Sequence, residues 1–207
     1  MPVIISSYIR RRDDAAKKVP EREVGAALTR QHIENYDQTS LAFPVLTSSD
    51  LCTFGDERGM IVYGRKMGYV FALGDPLAPE DASDDLLDEF IEAFGDPVFA
   101  ATSRATAERL AARGYLVNAF GHDTIIDLES YEFGGGGKKR VRYSESWLKR
   151  SGAFVTETPD RAIDPREVRS ISEAWRNTRV AEREIAFLNR PLSFSPPNGV
   201  RRFFAVG

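Results

Sequence analysis

Met60-Ile61-Val62-Tyr63 and Tyr69-Val70-Phe71-Ala72-Leu73 are two short apolar runs, joined by Gly64-Arg65-Lys66-Met67-Gly68. β-branched and aromatic residues bounded by glycine read as a hairpin. Gly74-Asp75-Pro76 ends the second strand, since proline cannot donate to a ladder. Working outward, Asp81 or Ser83 is placed to cap a helix whose core face is Leu86, Leu87, Phe90, Ile91 and Phe94. Asp84, Asp85 and Asp88 fall in its first turns, where the helix dipole favours negative charge, so the cluster needs no metal. Pro97–Ala101 reads as a strand, and Ser103 caps a helix that runs to Arg113 and stops at Gly114. Tyr115–Phe120 and Thr124–Leu128 read as an antiparallel pair. The order β-β-α-β-α-β-β predicts an α+β fold, with helices layered on a mostly antiparallel sheet.

Upstream, Glu21–Tyr36 reads as a helix that opens after Pro20, and Leu41–Leu46 is apolar but broken by Pro44. Residues 1–20 read as a basic tail through Arg10–Arg12, Lys17 and Lys18. Downstream, the run Gly134–Gly137 marks a linker or mobile loop. After it, Lys138–Ser151 reads as a helix and Ala153–Glu157 as a strand. Asp164-Pro165 starts a helix to about Thr178, and a further helical piece covers Glu182–Leu188. Pro196–Gly199 is a turn, and Val200–Gly207 has a strand pattern with no partner strand in view. Three regions follow: the tail at 1–20, a first unit at 21–133 and a second from 134 to 207.

The 207 residues carry 28 Lys+Arg against 31 Asp+Glu, a net charge of −3. That near-balance conceals a split. Residues 1–130 hold 13 basic and 22 acidic side chains, and residues 131–207 hold 15 and 9. Either the basic part meets a polyanionic partner, or two solvated surfaces of opposite sign attract each other. Cys52 is the single cysteine, which fits a reducing compartment. No run of 18 apolar residues exists, so no membrane-spanning helix is expected.

Several chemistries fail on spacing. A phosphate-binding loop ending at Gly137-Lys138 would need glycine where Glu132 stands, and Ser or Thr where Lys139 stands. Arg22-Glu23-Val24-Gly25-Ala26-Ala27 matches a loose acyl-CoA pattern, but no strand is read before it. His32 and His122 are the only histidines, with no nucleophile elbow and no zinc-type Cys/His spacing. No cofactor and no metal are expected, and no catalytic residue is assigned. The basic helix is the informative feature. Lys138, Lys139, Arg140, Arg142, Lys149 and Arg150 crowd onto it, opposed by Glu145 alone. Lys138, Arg142 and Lys149 fall on one stripe. Tyr143 and Trp147 sit one turn apart, suited to stacking on a base or lying at a lipid interface. Trp175-Arg176 is a second aromatic–cation candidate. The bland alternative is a solvated helix face with aromatic core anchors.

Three stretches together resemble the C-terminal catalytic domain of phosphatidylglycerol lysyltransferases, also called aminoacyl-phosphatidylglycerol synthases or multiple peptide resistance factors. They are the hairpin ending in Gly74-Asp75-Pro76, then Gly114-Tyr115 through Gly121 to the strand Ile125-Ile126-Asp127-Leu128, and Phe133 with its glycines through Lys139, Val141-Arg142 and Lys149–Ala153. The resemblance covers roughly residues 35–190. It implies two tandem acetyltransferase-like folds, with the second copy incomplete where the chain stops at Gly207. It implies transfer of an amino acid from aminoacyl-tRNA to the hydroxyl of phosphatidylglycerol, on the cytoplasmic side and peripheral to the inner face of the membrane. On the residues that match, Gly74, Asp75 and Pro76 take the family's turn. Arg142 takes the arginine of the basic helix, with Lys138 and Lys139 just before it. His122 and Asp123 depart from the family's paired acids after the glycine. Two alternatives stay open: an acyl-CoA-dependent N-acyltransferase, and a non-catalytic module binding anionic lipid or RNA.

Overall fold

A computed structural model of the chain describes residues 3–6, 22–37, 39, 41–66, 68–119, 121, 126–157, 164–178 and 201–206. The chain divides into two compact units, Met1–Asp123 and Thr124–Gly207. The division falls ahead of the glycine run at which a boundary was expected.

The first unit is built on the Met60–Leu73 hairpin. β3 (Gly59–Lys66) pairs antiparallel with β4 (Tyr69–Leu73), as the sequence predicts. A strand not foreseen, β2 (Leu51–Asp56), pairs on the other side of β3. Its Leu-Cys-Thr-Phe-Gly-Asp sequence mixes polar and apolar residues, which hides the period. β4 runs parallel to β5 (Val98–Thr102), the crossover being α2 (Glu80–Phe94). β1 (Val3–Ser6) lies antiparallel between β5 and β6 (Leu116–Ala119). The sheet order is β2-β3-β4-β5-β1-β6, mixed but mostly antiparallel. So the residues expected as a tail contribute a strand at Val3–Ser6, and Arg10–Arg12, Lys17 and Lys18 lie outside the described residues.

β3 is buried along its whole apolar run, from Gly59 to Gly64. Ile61 and Tyr63 enter a core with Phe54, Ala72, Leu86, Leu87, Phe90 and Phe99, closed by Ala107, Leu110 and Tyr115. Alternate residues Met60 and Val62 are equally buried, so β3 has no solvent face. Phe90 sits at the centre. Its ring meets Phe54 at 5.4 Å, Tyr63 at 5.7 Å and Phe99 at 5.9 Å, all edge-on. Such pairs add to the burial itself.

The helices obey their periodicity better than their caps. α2 begins at Glu80 with Pro79 as its cap residue, and neither Asp81 nor Ser83 caps it. Instead the Ser83 hydroxyl donates to the Pro79 carbonyl at 3.0 Å. The acids of α2 pair with arginines of α3 (Arg104–Ala112) and its C-cap. Arg113 reaches Asp88 at 2.6 Å and Asp84 at 2.9 Å, and Arg109 reaches Glu80 at 3.1 Å. Ser103 caps α3 as expected, accepting from the Thr106 N–H. α1 is Ala26–Tyr36, five residues shorter at its start than predicted. Arg22 and Val24 are extended against β2, with Gly55 N–H donating to the Arg22 carbonyl and Val24 N–H to Thr53 Oγ1, each at 3.0 Å. Ile126–Leu128 are not strand, contrary to the expected pairing of Thr124–Leu128 with β6. Thr124 and Ile125 lie outside the described residues.

The second unit contains α4 (Lys139–Arg150), β7 (Phe154–Glu157), α5 (Pro165–Asn177) and β8 (Phe203–Val206). Asp164 caps α5, accepting from the Arg166 N–H at 2.8 Å. The strand expected to stand alone at the end has a partner: β8 pairs antiparallel with β7. Sequence separation hid this pairing. Neither α4 nor α5 contains a buried residue. The predicted helix at 182–188 and turn at 196–199 lie outside the described residues.

A charge network joins the strands to α2. Arg58 clasps Asp56 through Nε and Nη2 and reaches Glu89 at 3.0 Å, and Arg22 pairs with both acids. The hydrogen bond from Arg58 holds the Asp56 carboxyl below its ordinary value. Burial pushes Glu89 up, but the hydrogen bonds from Arg58 and Arg22 outweigh it and leave the group lowered. The folded state thus resists protons that the unfolded chain accepts. These pairs stabilise the fold fully above about pH 5 and progressively less as pH falls through about 4 and below. Arg58→Met should therefore flatten the fall in Tm between pH 5 and pH 3, as read by thermal denaturation. An unchanged slope would contradict the assignment.

Candidate functional site: the glycine loop and the basic helix

The Gly74-Asp75-Pro76 turn is the first candidate. Gly74 has φ 75°, a conformation that suits glycine, and its N–H donates to the Ala100 carbonyl at 2.9 Å. Asp75 accepts from the Ser103 N–H at 2.8 Å. The turn therefore ties the end of β4 to the start of α3. Its carboxylate is directed to protein backbone and fixes the crossover. Leu77, just beyond Pro76, exchanges two hydrogen bonds with Met60, at 2.8 and 3.0 Å. The start of α2 is thus a poor phosphate cradle. The Leu77 N–H is spent, Pro79 has none, and Glu80 and Asp81 repel anions. The Arg22–Ala27 pattern fares no better, since Arg22 is bound by Asp56 and Glu89. Neither segment offers the anion site that an acyl-CoA reading needs.

The second candidate is α4 with the loop before it. The structure divides its six cations into two sets. Lys138, in a 3-10 turn at Gly136–Lys138, donates to the Glu132 carbonyl and lies 3.8 Å from the centre of the Tyr131 ring. Arg142 Nη1 donates to the carbonyls of Phe133 and Gly135, at 2.7 and 2.8 Å. Lys149 pairs with Glu145 one turn away at 2.7 Å, which holds that carboxyl below its ordinary value. So the predicted stripe of Lys138, Arg142 and Lys149 is occupied by the chain's own acceptors. The sequence showed the charges but not the loop carbonyls that receive them.

The remaining cations lie elsewhere on the helix. At about 100° per residue, Lys139, Arg150, Tyr143, Trp147 and Arg140 fall within an arc of roughly 100°. All five are exposed, Tyr143 at 66% and Trp147 at 56%. Arg150 lies 6.0 Å from the Tyr143 ring centre. Among the described residues, Lys139, Arg140 and Arg150 form no ion pair. Val141 and Leu148 take the opposite side of the helix. The aromatic residues of this arc are thus not core anchors. Trp175 stands on α5 and is 43% exposed, and Arg176 pairs with Glu173 at 3.9 Å. Among the described residues no group of three or more His, Cys, Asp or Glu is arranged to hold a metal ion. His122 and Asp123 lie outside the described residues.

A family model for the C-terminal part of phosphatidylglycerol lysyltransferases matches residues 30–206. The chain belongs to this family. A comparison with curated protein sequences gives no match. Two solved structures share the fold. The first is L-PGS from Bacillus licheniformis, with 20% identity and a TM-score of 0.60, covering 78% of this chain and 52% of that one. The second is the C-terminal DUF2156 domain of an Agrobacterium fabrum protein described as a lysylphosphatidylglycerol synthetase. It has 23% identity and a TM-score of 0.58, and covers 75% of this chain and 53% of that one. This member of the family spans about half the length of those structures. The matched region takes in both the Gly74-Asp75-Pro76 turn and the basic helix.

Because Asp75 is a charged acceptor joining two elements, Asp75→Ala should destabilise the first unit by about 1–3 kcal/mol. Urea denaturation measures this. A change within experimental error would show that the turn holds without the bond.

Proposed function

We propose that the chain carries part of an aminoacyltransferase that moves an amino acid from aminoacyl-tRNA to the hydroxyl of phosphatidylglycerol. The reading rests on family membership, and on the exposed arc of Lys139, Arg140, Tyr143, Trp147 and Arg150. Two tandem acetyltransferase-like units are the architecture that goes with it. Both substrates bear phosphodiesters, which the three cations of the arc are suited to bind. Exposed Tyr and Trp rings suit a nucleobase or the headgroup region of a bilayer. The chain would act on the cytoplasmic side and touch the membrane's inner face peripherally. Among the described residues, no helix is long and apolar enough to cross a membrane.

The chemistry asks little of a catalytic group. The lipid hydroxyl oxygen attacks the ester carbonyl of the aminoacyl-tRNA. A new ester forms, the ester to the tRNA ribose breaks, and the hydroxyl proton passes to the ribose oxygen. One ester replaces another, so the main demands are positioning and stabilisation of negative charge. Lys139, Arg140 and Arg150 of α4 answer the binding part of that demand. An acyl-CoA-dependent N-acyltransferase is disfavoured by the acidic, proline-capped start of α2.

Binding to unfractionated tRNA and to phosphatidylglycerol vesicles, measured against salt, tests the reading. The triple variant Lys139→Ala, Arg140→Ala, Arg150→Ala should lose at least about tenfold in affinity, and its log–log salt slope should fall by about 2–3. Lys149→Ala should change little, because Glu145 already occupies that side chain. Equal loss from both variants, or none from the triple, would contradict the proposal.

A further inference from the structure

The loop from Tyr131 to Gly137 is fastened to α4 by Lys138 and Arg142, two of the three cations that lie off the exposed arc. Arg142 draws in the carbonyls of Phe133 and Gly135, and Lys138 takes that of Glu132 while covering the Tyr131 ring. Tyr131 and Phe133 also meet edge to face at 5.1 Å. Arginine and lysine bind phosphodiesters more strongly than neutral carbonyls, because those hydrogen bonds are charged on both sides. The loop carbonyls therefore hold these cations with a weaker acceptor than a phosphodiester offers.

The glycines supply a second, independent observation. Gly135, at φ 81° and ψ 166°, occupies backbone space that is essentially reserved for glycine. Gly134, Gly136 and Gly137 do not have a positive φ, and a Cβ added at any of them meets nothing within 4 Å. Gly136 and Gly137 lie in the 3-10 turn, where alanine would be the better residue. The fastened loop thus explains one glycine of four. The other three make sense if the segment leaves this conformation.

We propose that Tyr131–Gly137 is a latch: Lys138 and Arg142 hold it closed, and a phosphodiester partner that takes these cations releases it. This rests on the polyanion-binding reading above and adds a conformational step to the same site. With the latch shut, Lys139, Arg140 and Arg150 make first contact. With it open, Lys138 and Arg142 join them.

Two glycine substitutions pull the latch in opposite directions without touching a cation. Gly135→Ala strains the closed form and should open it. Gly136→Ala with Gly137→Ala favours the closed turn and should hold it shut. Without ligand, hydrogen exchange of the 133–138 amides should rise at least about tenfold in the first variant and fall in the second. Affinity for unfractionated tRNA or for phosphatidylglycerol vesicles should rise several-fold in the first and fall several-fold in the second. The two probes show which source of phosphodiester opens the latch. Exchange unchanged in both variants, or affinities moving in the same direction, would overturn the latch. Opposite exchange shifts with no binding of either probe to the unmodified chain would instead overturn the functional reading and leave the latch standing as a loop device.

Discussion

Burial of β3 on both faces is the constraint from which the first unit follows. A strand with solvent on one side can alternate polar and apolar residues. Met60-Ile61-Val62-Tyr63 cannot, so it demands cover above and below. α2 and α3 supply one cover through Leu86, Leu87, Phe90, Ala107 and Leu110. To bring α2 over the sheet, the chain must leave β4, cross, and return parallel as β5. The Gly74-Asp75-Pro76 turn sets that departure, and the bond from Ser103 N–H to Asp75 links it to the return. The Gly74-Asp75-Pro76 turn is thereby accounted for as a structural clamp.

The second unit follows a different logic. Among the described residues its helices contain no buried residue, and the apolar side chains of Val141, Phe154, Ile171 and Phe203 are exposed. Its organisation at α4 is electrostatic. Main-chain carbonyls of the glycine loop and one glutamate absorb half of the helix's positive charge. The other half is left beside two aromatic rings. This division turns a general excess of basic residues into a directed surface.

The hairpin, α2, α3, α4, β7 and α5 were legible in the sequence because period and punctuation agree in each. Phe90 and Leu87 announce a buried helix face, and Asp164-Pro165 announces a helix start. What escaped reading had a physical reason. β2 carries Thr53 and Gly55 among its apolar residues, so its alternation is blurred. Helix propensity after Pro20 competes with an alternative for Arg22 and Val24, which is to hydrogen-bond along β2. The partner of β8 lies far back in the chain, and local pattern carries no information about it. At the site, charge could be counted from sequence, but which cations were already engaged could not. That depended on the fold of Tyr131–Gly135, whose acceptors are backbone atoms common to every residue.

The proposed phosphodiester partner meets the arc of α4 that bears Tyr143 and Trp147. The chain has two tryptophans. In a Trp175→Phe variant, Trp147 alone reports. Titration with phosphatidylglycerol vesicles or with unfractionated tRNA should shift or quench its emission in step with binding. Such a change, lost in high salt, is the predicted result. Binding that leaves the Trp147 emission unchanged would contradict this and place the partner elsewhere on the chain.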